Sequence, residues 1–245
     1  MDFERLLRPN PFANDDGSLQ PHMASALSQE DNAQRQEAVV AAIATGRLFL
    51  AVQPHSHPGL EGDGQIKVHD PKGTNEAAQQ EAGALTVQAP GGLRAMPAFT
   101  SMAALSIFDP QARPLPLEGQ AVAAQALLNT GIIALDPADR EGSGATFVGR
   151  TATVSLAMDE PWFAPWLDVM LADKLEAAVA GCAQVLTVKV QAGPRGLVRL
   201  TLRMSDYATQ VDAMEAAEEL IKVTHHDGYV ASRLDLIEVV PVRMA

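Results

Sequence analysis

Two runs near the end of the chain restrict its fold more than any other feature. Leu186, Val188 and Val190 alternate with Val185, Thr187 and Lys189. After the turn Ala192-Gly193-Pro194-Arg195-Gly196, Val198, Leu200, Leu202 and Met204 alternate with Arg199, Thr201 and Arg203. A period of two sends successive side chains to opposite faces, so each run predicts a strand and the pair an antiparallel hairpin with one apolar face. That face needs a cover. Residues 207–225 supply it as a helix with Ala213, Met214, Ala217, Leu220 and Ile221 on one side, and Asp212, Glu215, Glu219 and Lys222 on the other. Residues 234–240 complete a two-layer ββαβ unit as its third strand.

The preceding residues mix helix and strand signals. Residues 1–20 form an irregular lead-in containing Pro9, Pro11 and Gly17. Ser28 is the expected N-cap of a helix over residues 29–45, where Ala33, Gln36, Val39, Val40 and Ile43 recur at helical spacing and Gly46 is the stop. Arg47-Leu48-Phe49-Leu50-Ala51-Val52 predicts a strand buried on both faces. Residues 85–87 and 93–98 predict a hairpin around Ala89-Pro90-Gly91-Gly92. A short helix capped by Thr100 or Ser101, a helix over 119–129, strands at 132–135 and 145–148, and a helix over 151–158 follow. Near Asp159-Glu160-Pro161 the character changes, and a helix over 166–180 opens what comes after. The fold class expected is α/β to α+β. A lead-in (1–20) precedes a domain (21–158) with a mixed sheet and flanking helices, and the two-layer ββαβ unit takes 159–245.

Composition excludes several partners. The formal net charge is −12, with acidic residues spread along the chain and no basic block, which argues against nucleic acid and against anionic membrane surfaces. Cys182 is the only cysteine, so no intrachain disulfide forms, in keeping with a reducing compartment. The start, Met1-Asp2-Phe3-Glu4-Arg5, lacks the pattern of a signal peptide, and the apolar runs fall short of a membrane span. A cytoplasmic location is expected.

The most distinctive stretch is Leu93-Arg94-Ala95-Met96-Pro97-Ala98-Phe99-Thr100-Ser101-Met102-Ala103-Ala104-Leu105. Phe108-Asp109-Pro110 follows it, then Ile132-Ile133-Ala134-Leu135-Asp136-Pro137-Ala138. Together with the lead-in Asp15-Asp16-Gly17-Ser18, these residues resemble the SseB family in its actinobacterial form, over about residues 14–158. The resemblance implies a fold rather than a reaction. Pro97 is expected to stop a strand, Phe99 to anchor a turn in the core, Thr100 to cap a helix and Asp136-Pro137 to end a strand.

The candidate chemistry is sparse. His55-Ser56-His57 opens a long polar stretch over residues 53–82, and alternate residues of extended chain face the same way. Both imidazoles, with His69 or Asp70, are therefore candidate metal ligands. The ordinary alternative is a solvated loop. Nucleophile-elbow, P-loop and dinucleotide-binding motifs are absent from the sequence. His225-His226 at a helix end suits the negative end of the helix dipole, and Cys182 suits a small apolar site. Lys189, Arg199 and Arg203 form a basic strip, expected to pair with Asp235 or Glu238. Trp162 and Trp166 are candidate protein-binding residues, with packing between the two units as the favoured account. The expectation is a non-catalytic cytosolic binding or regulatory protein, with a protein or small-molecule partner and no cofactor. The alternative is a metal-assisted hydrolase-like enzyme built on His55, His57 and His69.

Overall fold

A computed structural model describes Phe12, residues 14–52 and residues 85–243. Two helices lead in. Pro21, whose missing N–H is harmless in a first turn, opens α1 (Pro21–Leu27). Ser28 closes that helix instead of capping the next: its amide bonds back to Ala24 and its hydroxyl to the Ser25 carbonyl. Asn32 caps α2 (Ala33–Thr45), its side chain accepting the Arg35 N–H at 3.1 Å. Strand β1 (Arg47–Val52) follows, buried on both sides as its unbroken apolar run predicts. Leu48 and Leu50 join the core under the helices, while Phe49 and Ala51 pack with Phe99 and Leu105.

The next elements are β2 (Val87–Gln88), β3 (Arg94–Ala98), α3 (Met102–Phe108), β4 (Arg113–Glu118), α4 (Gly119–Leu127), β5 (Ile133–Leu135), β6 (Thr146–Val148) and α5 (Arg150–Met158). β2, β3, β5 and β6 form one sheet in that order, with β3 and β5 parallel and the other pairs antiparallel. β1 joins it where Phe49 and Phe99 exchange backbone hydrogen bonds of 2.7 and 2.9 Å, and carries β4 on its other edge.

Proline placement explains two departures from the expected pattern. Pro97 lies inside β3, opposite Ala134, rather than stopping the strand. The Met96 N–H points toward β5, so the nitrogen of Pro97 points the other way, into the gap between β2 and the Phe49 bridge. Strand β4 is unforeseen because Pro114 and Pro116 argue against a strand. It is an edge strand, however, and Pro116 stands opposite Phe49, whose backbone groups are already committed to Phe99.

The tail opens with a 3₁₀ turn (Pro165–Leu167) and α6 (Val169–Ala178), capped by the Asp168 side chain rather than continuing from Trp166. The hairpin is β7 (Val185–Ala192) and β8 (Val198–Met204), and the predicted alternation holds through β8 and from Val188 on in β7. A register shift between Val185 and Thr187 leaves Leu186, expected on the apolar face, exposed and packs Val185 against the core instead. Helix α7 (Gln210–His226) starts with a Thr209–Asp212 capping box. Asp227 ends it and caps α8 (Gly228–Arg233), a helix not visible in the periodicity. β9 (Ile237–Arg243) then runs parallel to β8, a pairing that requires the helical crossover before it.

The hairpin turn is seated against the first sheet. Leu197 and Leu236 share a core cluster with Val87, Ile132 and Phe147. The buried Gln36 amide donates to the Gly193 carbonyl at 2.8 Å. Arg195, in the left-handed region at φ 56°, crosses the ring of Phe147 and donates to the carbonyls of Ala145 (2.9 Å) and Gly142 (2.5 Å). Its own amide donates to Asp31 at 2.7 Å. Gly196 has φ +90°, and a β-carbon there would stand 1.9 Å from the Phe147 carbonyl oxygen. Gly196→Ala is therefore expected to lose more than about 3 kcal/mol, by strain and forced separation together. Urea unfolding read by tryptophan emission and by far-ultraviolet ellipticity should show one shared transition, moved to lower urea in the variant. An unchanged midpoint would mean that the turn is not seated in this way.

Candidate functional site

The polar residues of the distinctive motifs converge where β3 and β5 end and β1 begins. Arg47, the one charged residue of its strand, is almost completely buried. Its guanidinium grips Asp15 with two bonds of 2.6 and 2.9 Å and reaches the carbonyls of Thr100 and Ser18, each at 2.5 Å. It also lies 4.1 Å from the centre of the Phe49 ring. The lead-in is therefore tied to the sheet through a partly buried ion pair. The Arg47 hydrogen bond holds the Asp15 carboxyl below its ordinary range.

Thr100 turns to the other strand. Its amide donates to one Asp136 oxygen at 2.7 Å and its hydroxyl to the other at 2.6 Å. Helix α3 is capped by Ser101, one of the two caps read from the residues, which accepts the Ala104 N–H at 3.1 Å, so only the cap that the resemblance implied at Thr100 is corrected. Asp136 ends β5 as expected and adopts φ 52°, which turns its carboxylate back onto Thr100. Burial pushes its pKa up, and the two bonds from Thr100 offset this only in part. Phe99 is fully buried beside Phe108, with ring centroids 5.2 Å apart. Sequence reasoning identified Phe99, Thr100 and Asp136 but missed Arg47. A single arginine opening an otherwise apolar strand was the available signal.

The remaining candidates are dispersed. His55, His57, His69 and Asp70 lie outside the described residues. Among the described residues no group of three or more histidine, cysteine or acidic side chains could hold a metal. Trp162 and Trp166 meet edge to face at 5.4 Å, although the chain between them is extended and then 3₁₀ rather than α-helical. Trp162 packs against the first core and its indole N–H donates to Thr151, while the Trp166 N–H reaches Glu37 on α2 at 2.9 Å. Both line a cavity of about 20 Å³ that includes Gly196 and Asp235, room for a single water. Arg199 of the basic strip pairs with Glu238 at 2.8 Å. Asp235 instead accepts the amide of Arg150 at the start of α5. His225 and His226 end α7 as expected. Cys182 is half-buried, and burial together with Glu219 and Glu215 pushes its thiol pKa up, away from the reactive thiolate.

Phe99→Ala should cost about 3–5 kcal/mol in chemical denaturation, because no solvent reaches the ring. Asp136 also makes a pH prediction. Its pKa is raised in the folded state, so its stabilising contribution is full below about pH 4 and is lost as pH climbs through the folded pKa. The stability of the natural chain relative to Asp136→Asn should therefore rise as pH falls from neutral toward about 4. Urea titrations of both proteins across that range measure the gap, and a gap independent of pH would contradict the burial of this carboxyl.

Comparison with curated proteins and with solved structures finds no match. No described helix is long and apolar enough to cross a membrane. The SseB protein N-terminal domain matches residues 22–143, about half of the chain, a span that holds Arg47, Phe99, Thr100 and Asp136. The chain belongs to the SseB family.

Proposed function

We propose that this SseB-family chain is a binding or regulatory protein rather than a catalyst. The observation that supports this most directly is the internal commitment of the motif side chains. Arg47 gives four hydrogen bonds within the fold, and both oxygens of Asp136 accept from Thr100. A general acid, base or nucleophile must keep a proton or lone pair available to its substrate. These groups direct theirs inward, and the Cys182 thiol is biased toward its unreactive form.

Exposed apolar side chains make up the surface beside the tryptophans. Met158, Phe163, Leu167, Val169 and Met170 are each between 52% and 73% exposed. Trp162 and Trp166, half-buried and packed edge to face, lie within the same stretch of chain. A strip of this kind suits a protein partner. The full chain and a Phe163→Ser/Leu167→Ser variant, used as parallel baits in host lysate, test it by quantitative mass spectrometry. A specific partner retained by the natural chain should fall about tenfold or more with the variant, as loss of a small interface anchor predicts. Equal retention by both baits would place docking elsewhere. Elemental analysis of untagged protein, with His57→Ala as control, separately tests the metal-assisted hydrolase alternative. A stoichiometric metal lost in that variant would favour the enzyme.

A further inference from the structure

A second feature lies at the opposite end of the parallel pair β3–β5 from the Thr100–Asp136 tie. Thr86, Arg94, Asn129, Thr130, Ile132 and Arg150 line an open groove of about 420 Å³. That volume falls within the range of small-molecule sites. Neutral groups hold both guanidiniums in place. Arg94 donates to the Thr86 hydroxyl at 3.0 and 2.6 Å and to the Thr86 carbonyl at 3.2 Å. Arg150 lies across Gly131 and donates to the Thr130 carbonyl at 3.4 Å. Gly131 (φ +72°) leaves room for this side chain, since a β-carbon there would approach Arg150 Nε to 3.0 Å.

Neither arginine makes an ion pair among the described residues. Asp235 feels the charge of Arg150, but its carboxylate is committed to the backbone amides of Arg150 and Leu236. Two oriented cations therefore face one groove with N–H donors unspent, in a chain whose formal charge is −12. A lone carboxylate fills one guanidinium fork, whereas a phosphate dianion has oxygens enough for two.

We propose that this groove binds a small organic phosphate. Its phosphate sits between Arg94 and Arg150, Asn129 offers the amide N–H that it does not give to the Gln125 carbonyl, and Leu93, an exposed apolar side chain on the same groove, meets the organic part. The site is separate from the apolar strip of the proposed docking function, and either can fail without the other.

Titration of the full-length ¹⁵N-labelled chain with inorganic phosphate and with glycerol 3-phosphate tests it, with glycerol as the uncharged control. Saturable shifts are expected at the amides of Thr86, Arg94, Thr130, Gly131 and Arg150 with both phosphates, and none with glycerol. Arg94→Gln and Arg150→Gln should each weaken binding about tenfold, the usual effect of one charge-assisted bond. The Arg150 backbone amide, not its side chain, holds Asp235, so the tie to the tail survives that change. No saturable shift in the natural chain would overturn the proposal, and so would a double variant that binds as the natural chain does. Should either variant fail to fold, the shift map of the natural chain decides alone.

Discussion

The contact on which the architecture depends is the seating of Arg195 and Gly196 against Phe147. A hairpin turn is normally the most exposed part of a sheet. Here its backbone presses on β6 so closely that only a glycine fits at position 196, and the neighbouring arginine enters the first half to satisfy the carbonyls of Gly142 and Ala145. Apolar burial of Leu197 beside Phe147 offsets the left-handed conformation of Arg195. Gln36 and Asp31 secure the same turn from the helical side. The position of the tail on the first sheet, the small cavity beside the tryptophans and the protection of the α5 start by Asp235 all follow from this seating.

A different arrangement holds the far end of the first sheet. Parallel strands β3 and β5 are short, with three paired positions between them. They are reinforced by the Thr100–Asp136 bonds, and Arg47 ties the lead-in to the same place. Buried polar groups of this kind stabilise only when every donor and acceptor is matched, and among the described residues no buried side-chain nitrogen or oxygen lacks a partner. Their saturation argues for a structural role and draws attention to groups whose donors remain unspent. Arg94 and Arg150 are such groups, held by neutral partners at the other end of the same strands.

Local signals were most legible where one element satisfies its own requirements. The alternation through β8 and the later part of β7, the helical period of α7 and the apolar run of β1 can be read from spacing alone, because each reflects a periodicity of two or 3.6 or burial on both faces. The inner face of α7 cannot, since Met214 and Ile221 are exposed and Ala216 is buried beside Leu220. Helix ends were less legible. Asn32 rather than Ser28, and Ser101 rather than Thr100, supply the caps, since neighbouring hydroxyl and amide residues compete and tertiary partners decide among them. Strand β4 was hidden by Pro114 and Pro116, whose objection to a ladder vanishes at an edge.

By itself the sequence determined the mixed α/β character, the hairpin with its covering helix and the family motifs, because propensity, turn chemistry and hydrophobic period are local properties. Only the tertiary structure decided that Asp15 and Thr100 meet at Arg47, that Asp136 closes on Thr100, and that Arg94 and Arg150 share a groove. These residues stand tens of positions apart, and their proximity depends on strand order and on which edge each strand presents. No local pattern encodes those features: they emerge only when the strands choose their neighbours, burying the sheet faces and pairing the backbone together.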